Sequence, residues 1–506
     1  MKDPDNLAIP KPVEIELSQV YDFSASTFGY TRVKDFQRAQ NINTLGEVPD
    51  SSWFTNRMGR KVMSVDELVK GPNTKEGPAP GTWTITKAKT QGITPGFTIK
   101  DGRGDTYFIK FDPRKNPQLA TSAEVICTKL FYAFGYNVPE NYLTILNPED
   151  LQISEEARIT DEEGTKRKFT RDDLENILRK IPRLPDGRIQ VIASLLLPGK
   201  PIGPFQYWGT RTDDPNDIFP HQHRRELRGL RLFAAWLNHD DSRSINSLDM
   251  YLAKGDSGYV IHNLIDFGST LGSGSIQVQS HRAGNEYMIE GGPTVKSAVT
   301  FGLWDRPWRK YKYPDYPSIG RFESKNFRPE RWKPEYPNPA FERLQNEDAF
   351  WAARILVRFS DEMVRAVVKT GQITDPQAEE YLVNTLLERR NKIIHYYLGQ
   401  VSSLDEFYLA GDGTLQFVNL AQKAGVAQQD TYEYQWHTFD NEKETAEPIG
   451  KAESTSASAI PIPKKDAAFL MLRIHNLRAA EANWKKTVDV YISNASSPSV
   501  IGIERD

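Results

Sequence analysis

With 506 residues, 38% hydrophobic and 26% charged, the chain is too long for one ordinary core; it predicts about three structural units of a globular protein, not a disordered or membrane-embedded one. A formal net charge of −3 excludes a global attraction for nucleic acid or anionic membrane. The single cysteine, Cys127, excludes an intrachain disulfide and a multi-Cys zinc site, and its apolar helical setting, EVICTKLFYAF, reads as a buried, inert thiol.

Residues 1–80 are rich in Pro, Asn, Ser and Asp and read as an extended segment wrapping a neighbouring unit, anchored by Trp53 and Phe54. No amino-terminal signal pattern and no apolar run of membrane-spanning length occurs. The chain therefore reads as soluble and cytoplasmic by default, or exported if a signal was removed before residue 1. From 81 the pattern turns strand-like, in TWTITKA, GFTIKD and DTYFIKFD, and the RGD triplet at Arg103–Asp105 reads as a tight hairpin turn. ATSAEVICTKLFYAFG follows as an amphipathic helix stopped by Gly135. NYLTIL and RIQVIASLLLPG are further strands, separated by a polar helix that Thr170 caps.

Beyond 219 long helices take over: HQHRRELRGLRLFAAWLN, NEDAFWAARILVRF, DEMVRAVVKTG and DPQAEEYLVNTLLERRNKIIHYYLG. His221 and His223 read as a surface pair at a helix start, since no carboxylate or cysteine set completes a metal site. Residues 304–338 interleave aromatic and basic side chains with prolines and read as a rigid loop packed on the helices, with substrate docking as the functional alternative. EKETAEPIGKAESTSASAIPIPKK reads as a linker into a small β appendage.

Four features in fixed order supply what phosphoryl transfer requires. Gly92, Thr94 and Gly96 shape a turn whose backbone N–H groups can meet phosphate oxygens. Lys110 lies in TYFIKF, where alternation puts Tyr107, Ile109 and Phe111 on one face and Phe108 and Lys110 on the other; with apolar residues on both faces, the lysine can point inward. Glu124 in the following helix can pair with Lys110 and hold its ammonium against nucleotide phosphates. In WLNHDDSRSIN, Asp241 and Asn246 fall at the spacing H-x-D-x-x-x-x-N: a carboxylate to take a hydroxyl proton, an amide oxygen to bind a metal, and Arg243 to offset charge on the transferred group. Asp240 competes with Asp241, which the spacing to Asn246 favours. Asp266-Phe267-Gly268 then closes an apolar run, VIHNLIDFG, and Asp266 can bind Mg²⁺ because a hard cation prefers carboxylate oxygen.

This ordered set resembles the protein-kinase-like superfamily over about residues 85–400, with HDDSRSIN in place of H-R-D-L-K-P-x-N and D-F-G intact. Within it, AEVICTKLFYAFGYNVPENYLTI and GITPGF look most like HipA-like Ser/Thr kinases. The resemblance implies an α+β, bilobal kinase-like fold with ATP and Mg²⁺ as cofactors. It comprises a strand-rich nucleotide-binding lobe at 81–205, a helical catalytic lobe at 206–401 and a β-rich carboxyl-terminal unit at 402–506. A nucleotide and a protein substrate are the implied partners. The chain departs from the family in lacking G-x-G-x-x-G and an A-P-E segment. A small-molecule or lipid acceptor, nucleotidyl transfer, and a binding scaffold that kept the fold without turnover stay open as alternatives.

Overall fold

The computed structural model describes residues 5–30, 36–89, 96–160, 165–301, 304–428, 430–477 and 481–506. It is a mixed α+β structure built on several sheets. The described residues of 5–80 carry two short helices, α1 (Gln19–Ser24), which runs on into a π-helical turn at Ala25–Gly29, and α2 (Val65–Lys70). Buried side chains pin this strap down. Trp53 lies flat on His262 with ring centroids 3.6 Å apart, and the Arg224 guanidinium sits 4.6 Å over its ring.

A seven-stranded sheet follows, from β1 (Trp83–Lys89), β2 (Gly96–Lys100), β3 (Thr106–Phe111), β4 (Asn141–Leu146), β5 (Leu151–Thr160), β6 (Lys166–Lys168) and β7 (Ile189–Leu195). Its order is β4-β7-β3-β2-β1-β5-β6, antiparallel except where β1 meets β5. The RGD triplet forms the β2–β3 turn: Asp101 accepts from the backbone N–H groups of Arg103 and Asp105, each at 2.9 Å, and Gly104 takes φ +84°.

Helix α3 (Leu119–Phe134) is buried at every residue but Tyr132, as expected for a helix apolar on most of its circumference. It packs on β4 and β7 on one side and on α2 and a later helix on the other. Its cap is non-local. Gln118, at φ +65°, makes no side-chain cap, and the buried Asp112 carboxylate instead accepts from Gln118 N at 2.9 Å, Ala120 N at 2.8 Å, Thr121 N at 2.9 Å and Thr121 Oγ1 at 2.7 Å. Gly135 ends the helix at φ +130°, where a Cβ would come within 2.3 Å of the Phe54 ring. Helix α4 (Arg171–Leu178) has the expected Thr170 cap, reciprocated by Asp173.

Then come β8 (Lys200–Pro201), α5 (Arg225–Leu237), β9 (Ser247–Lys254) and β10 (Ser257–Leu264), the strands forming a sheet ordered β10-β9-β8. Gly255, at φ +67°, supplies the positive dihedral that the two-residue β9–β10 turn needs. Residues 265–345 are mostly irregular around α6 (Gly291–Val299), and α7 (Asn346–Val357), α8 (Asp361–Lys369) and α9 (Pro376–Leu398) follow, with α5, α7 and α9 packed together. Among the described residues no helix is long and apolar enough to cross a membrane.

The chain closes with β11 (Leu404–Leu409), β12 (Thr414–Asn419), α10 (Leu420–Lys423), β13 (Tyr432–Asp440), β14 (Thr445–Thr455), β15 (Ala459–Pro461), β16 (Phe469–Asn476), β17 (Val488–Ser493) and β18 (Ser499–Arg505). Sheets β11-β12-β15 and β14-β13-β16-β17-β18 enclose one apolar core around Phe417, Trp436, Leu472 and Val490.

Two expectations are corrected. The stretch read as a linker supplies β14 and β15; β14 is an edge strand exposed along nearly its whole length, so its ladder with β13 needs no apolar alternation. The histidines read as a surface pair are buried. His221 Nε2 lies 2.6 Å from Asp217 Oδ2 and His223 Nδ1 2.7 Å from Arg228 Nη2, so both serve a buried polar network under the strap. Asp112→Ala strips three amides and a hydroxyl of one buried acceptor. It should cost about 2–4 kcal/mol in denaturant unfolding followed by tryptophan fluorescence, with Asp112→Asn intermediate; a loss under about 0.5 kcal/mol would mean that solvent caps α3 equally well.

Candidate active site

Lys110 sits on the face of β3 opposite buried Tyr107, Ile109 and Phe111. Phe108, read as making the lysine face apolar, is 44% exposed, so that face opens to solvent instead of a core. Gly96 is the direct cross-strand partner of Lys110 on β2, and a Cβ there would lie 2.7 Å from Ile109 O; the lysine's neighbour on that side therefore has no side chain. Gly92 and Thr94 lie outside the described residues.

The Lys110 ammonium is held from two directions: Nζ lies 3.1 Å from Glu124 Oε1 and 3.0 Å from Asp266 Oδ1. Their exposures differ in a telling way. The Glu124 side chain is 2% exposed, while those of Lys110 and Asp266 are 35% and 47% exposed, so the ion pair is anchored in α3 and open on the Asp266 side. Asn141 Nδ2 fixes the Glu124 carboxylate at 3.1 Å and also meets Thr128 Oγ1 at 2.7 Å. Burial disfavours charge on Lys110, yet Asp266 and Glu124 together hold its ammonium above the usual range. Lys110 in turn pulls the Asp266 carboxyl below the usual carboxylate range.

Asp241 and Asn246 reach this cluster through the β9–β10 hairpin. The ladder pairs Ser247 with Leu264, and Ile265 N donates to Asn246 O at 3.0 Å, extending the register by one residue. Asn246 therefore sits across from Ile265, beside Asp266, and the twenty-residue spacing of the two motifs is the length of a folded hairpin. Asn246 Nδ2 donates to Asp241 O at 2.8 Å, closing the 241–246 turn, and its Oδ1 receives no donor among the described residues. Asp266 takes φ +63°, a left-handed conformation that Asp tolerates better than most residues and that turns the chain sharply after the strand. Phe267 then stacks on Phe131 of α3, ring centroids 4.7 Å apart, with His239 edge-on to Phe131 at 5.7 Å. The helix bearing Glu124, the Asp266 segment and the 239–246 turn are thus packed as one body.

The turn's charges pair among themselves. Arg243 Nε meets Asp241 Oδ1, and Arg243 Nη1 lies 2.6 Å from Glu335 Oε2, so the guanidinium read as a charge stabiliser is already held by two carboxylates. Burial pushes Asp241 up to about 7 against the pull of Arg243. Burial, reinforced by Asp241 and Glu335, pushes Asp240 up to about 8. Burial also drives His239 down to about 4, keeping its ring neutral, with Nδ1 3.4 Å from Ser269 O.

Several participants carried no local signal. Gln279 Nε2 donates to Asp240 Oδ1 at 2.8 Å, Glu335 pairs with Arg243, and Asp22 of the strap accepts from Ser244 Oγ at 2.9 Å inside the turn. Each comes from a distant part of the chain, and only its arrival in space reveals it. Among the described residues no group of three or more His, Cys, Asp or Glu could hold a metal ion. The hairpin register brings Asn246 across from Ile265, next in sequence to Asp266, and the two side chains carry an amide oxygen and a carboxylate of the kind Mg²⁺ uses when phosphate and water complete its shell.

An aspartate whose pKa is raised by folding binds protons that the unfolded chain has released, so its contribution to stability falls as pH rises from the unfolded value toward about 8. Asp240→Asn keeps an acceptor for Gln279 and removes that penalty. Its stability relative to the unsubstituted chain should grow between pH 5 and pH 8 by up to about 1.4 kcal/mol per pH unit. Thermal unfolding across that range checks this, and a pH-independent difference would contradict a buried, proton-holding Asp240.

The chain matches no protein-family model, no curated protein and no solved structure. The functional reading therefore stands on the site's residues and their geometry.

Proposed function

We propose that the chain is an ATP- and Mg²⁺-dependent phosphotransferase of the protein-kinase-like kind, with a protein Ser/Thr hydroxyl as acceptor. The observation that carries this reading is the half-exposed Lys110 ammonium held between buried Glu124 and open Asp266. A surface lysine has no use for two carboxylates from separate elements, whereas a phosphate-positioning lysine needs a fixed direction and a metal-binding neighbour. In this reading the seven-stranded sheet with α3 is the nucleotide lobe, α5 and α7 to α9 form the helical lobe, and the nucleotide lies between them.

The chemistry divides among the residues by charge and position. Lys110, aimed by Glu124, binds phosphate oxygens. Asp266 and Asn246 would hold Mg²⁺, which when bound would supply neutralisation of the phosphate charge. The acceptor hydroxyl oxygen attacks the γ-phosphorus and the bond to the bridging oxygen breaks. ADP leaves with that electron pair, and the hydroxyl proton passes to the Asp241 carboxylate. Arg243 acts on Asp241: its guanidinium, steadied by Glu335, keeps the carboxylate oriented and partly ionised near neutral pH.

Transfer of labelled γ-phosphate, with mass spectrometry of the product, tests this. Asp241→Asn should lower kcat about 10²- to 10⁴-fold while Mg-ATP still raises the melting temperature. Lys110→Ala and Asp266→Ala should lose that nucleotide stabilisation. Because Asp241 accepts a proton only when ionised, kcat/KM should climb with pH through about 7 and level off above it. If label appears nowhere, the protein itself included, and nucleotide leaves the melting temperature unchanged, the chain is a binding scaffold. A product carrying AMP in place of phosphate would make it a nucleotidyl transferase.

A further inference from the structure

The irregular segment after the catalytic turn encloses a cavity of about 460 Å³ whose wall includes Asn238, Trp332, Trp308, Arg321, Lys325 and Arg328. Its charges are unevenly satisfied. Two of the carboxylates in its lining are paired with cations, Glu286 with Arg306 at 2.9 Å, where it also accepts from Trp308 Nε1 at 2.9 Å, and Glu290 with Lys333; Glu323 accepts from Asn326 N at 2.8 Å and its charge acts on Arg389. Arg321, Lys325 and Arg328 have no carboxylate at ion-pair distance among the described residues. Arg389, also in the lining, is a buried cation that donates to the backbone carbonyls of Ala235, Trp236 and Glu323, with its guanidinium 3.6 Å above the Phe327 ring. Burial lowers it to about 9 against the pull of Glu323.

The cavity is tied to the catalytic turn. Trp332 Nε1 donates to Asn238 Oδ1 at 2.9 Å, Asn238 Nδ2 to Gln279 Oε1 at 2.7 Å, and Gln279 Nε2 to Asp240 Oδ1 at 2.8 Å. Arg321 Nη1 grips Gln279 O at 2.5 Å, and Glu335 N donates to Asp240 O at 2.7 Å. A group bound in the cavity therefore lies against the same framework that holds Asp240 and Asp241.

We infer that this cavity recognises an acidic segment of a protein acceptor, seating Asp or Glu side chains on Arg321, Lys325 and Arg328 and so delivering the neighbouring hydroxyl to the catalytic turn. The inference rests on the phosphotransfer reading and names the acceptor class for that site. Arg321, Lys325 and Arg328, with no carboxylate at ion-pair distance among the described residues, give the positive potential; the Trp and Tyr walls suit polypeptide backbone and side chains. A lipid surface fits less well, because a bilayer is flat and these cations lie in the walls of a concavity.

Fluorescence anisotropy without nucleotide tests it, using a short labelled peptide with one central Ser flanked by Glu, and a Lys-flanked counterpart. The Glu peptide should bind at least about tenfold more tightly. The double variant Lys325→Glu/Arg328→Glu alters two exposed side chains, so folding is not at stake, and it should abolish or invert the preference. Lys110→Ala should leave the preference intact. Equal affinity for the two peptides, or a preference that survives the charge reversal, would overturn the inference while leaving nucleotide binding to judge the phosphotransfer reading separately. Displacement of the Glu peptide by phosphatidylserine vesicles but not by unlabelled Glu peptide would overturn it in favour of a membrane surface. A charge-sensitive preference in a chain that Mg-ATP does not stabilise would sink the phosphotransfer reading, and the acceptor role with it.

Discussion

The Lys110 ammonium, shared between Glu124 and Asp266, is the constraint around which the molecule is arranged. Three elements far apart in sequence must converge for it to form: strand β3, helix α3 and the segment after β10. Each is held by its own device. Lys110 lies in the middle of a seven-stranded sheet, paired with Gly96 on one side and Ile192 on the other. Glu124 is carried by a helix buried on nearly all sides and capped from outside by Asp112. Asp266 is set by the hairpin register, a left-handed backbone turn and the stacking of Phe267 on Phe131. A buried carboxylate such as Glu124 is costly unless paired, so loss of any partner leaves an uncompensated charge. The cluster therefore couples sheet, helix and hairpin energetically as well as spatially.

Beside it, the 239–246 turn gathers carboxylates in excess. Asp240, Asp241 and Glu335 crowd around Arg243, and burial raises both aspartates toward neutrality. Such a group is poorly suited to stability at neutral pH and well suited to accepting a proton there. The strap is recruited to the same place. Asp22 bonds Ser244 in the turn and Tyr336 beyond it, at 2.9 and 2.6 Å, so the amino-terminal segment is part of the site's scaffolding as well as a cover for the core.

Much of the secondary structure was legible because its signals are local. Thr170 caps α4, Asp375 caps α9, Gly135 ends α3, and the alternation in TYFIKF marks β3. Failures came where local pattern and environment part company. The stretch read as a linker is an exposed edge strand, held by backbone pairing that leaves no hydrophobic trace. His221 and His223 sit in a polar, basic stretch and are nevertheless buried, because the strap folds over them and Asp217 and Arg228 satisfy their rings. Arg243 reads from sequence as offsetting charge on the transferred group, and nothing in its neighbourhood announces Glu335, which the structure brings to 2.6 Å.

By itself the sequence determined which chemical groups exist and in what order: a lysine in a strand, a glutamate in a helix, an aspartate and an asparagine at a short fixed spacing, and a second aspartate behind an apolar run. These are matters of residue identity and period, which local sterics and hydrophobic alternation encode. Only the tertiary structure decided that Lys110 touches both carboxylates, that Asn246 lies across the hairpin from Ile265, and that Asp112, Asn141, Gln279 and Asp22 support the site. Charge pairing, burial and the pKa shifts they cause depend on distances between segments, and those distances arise only when sheet, helix and hairpin close on one another.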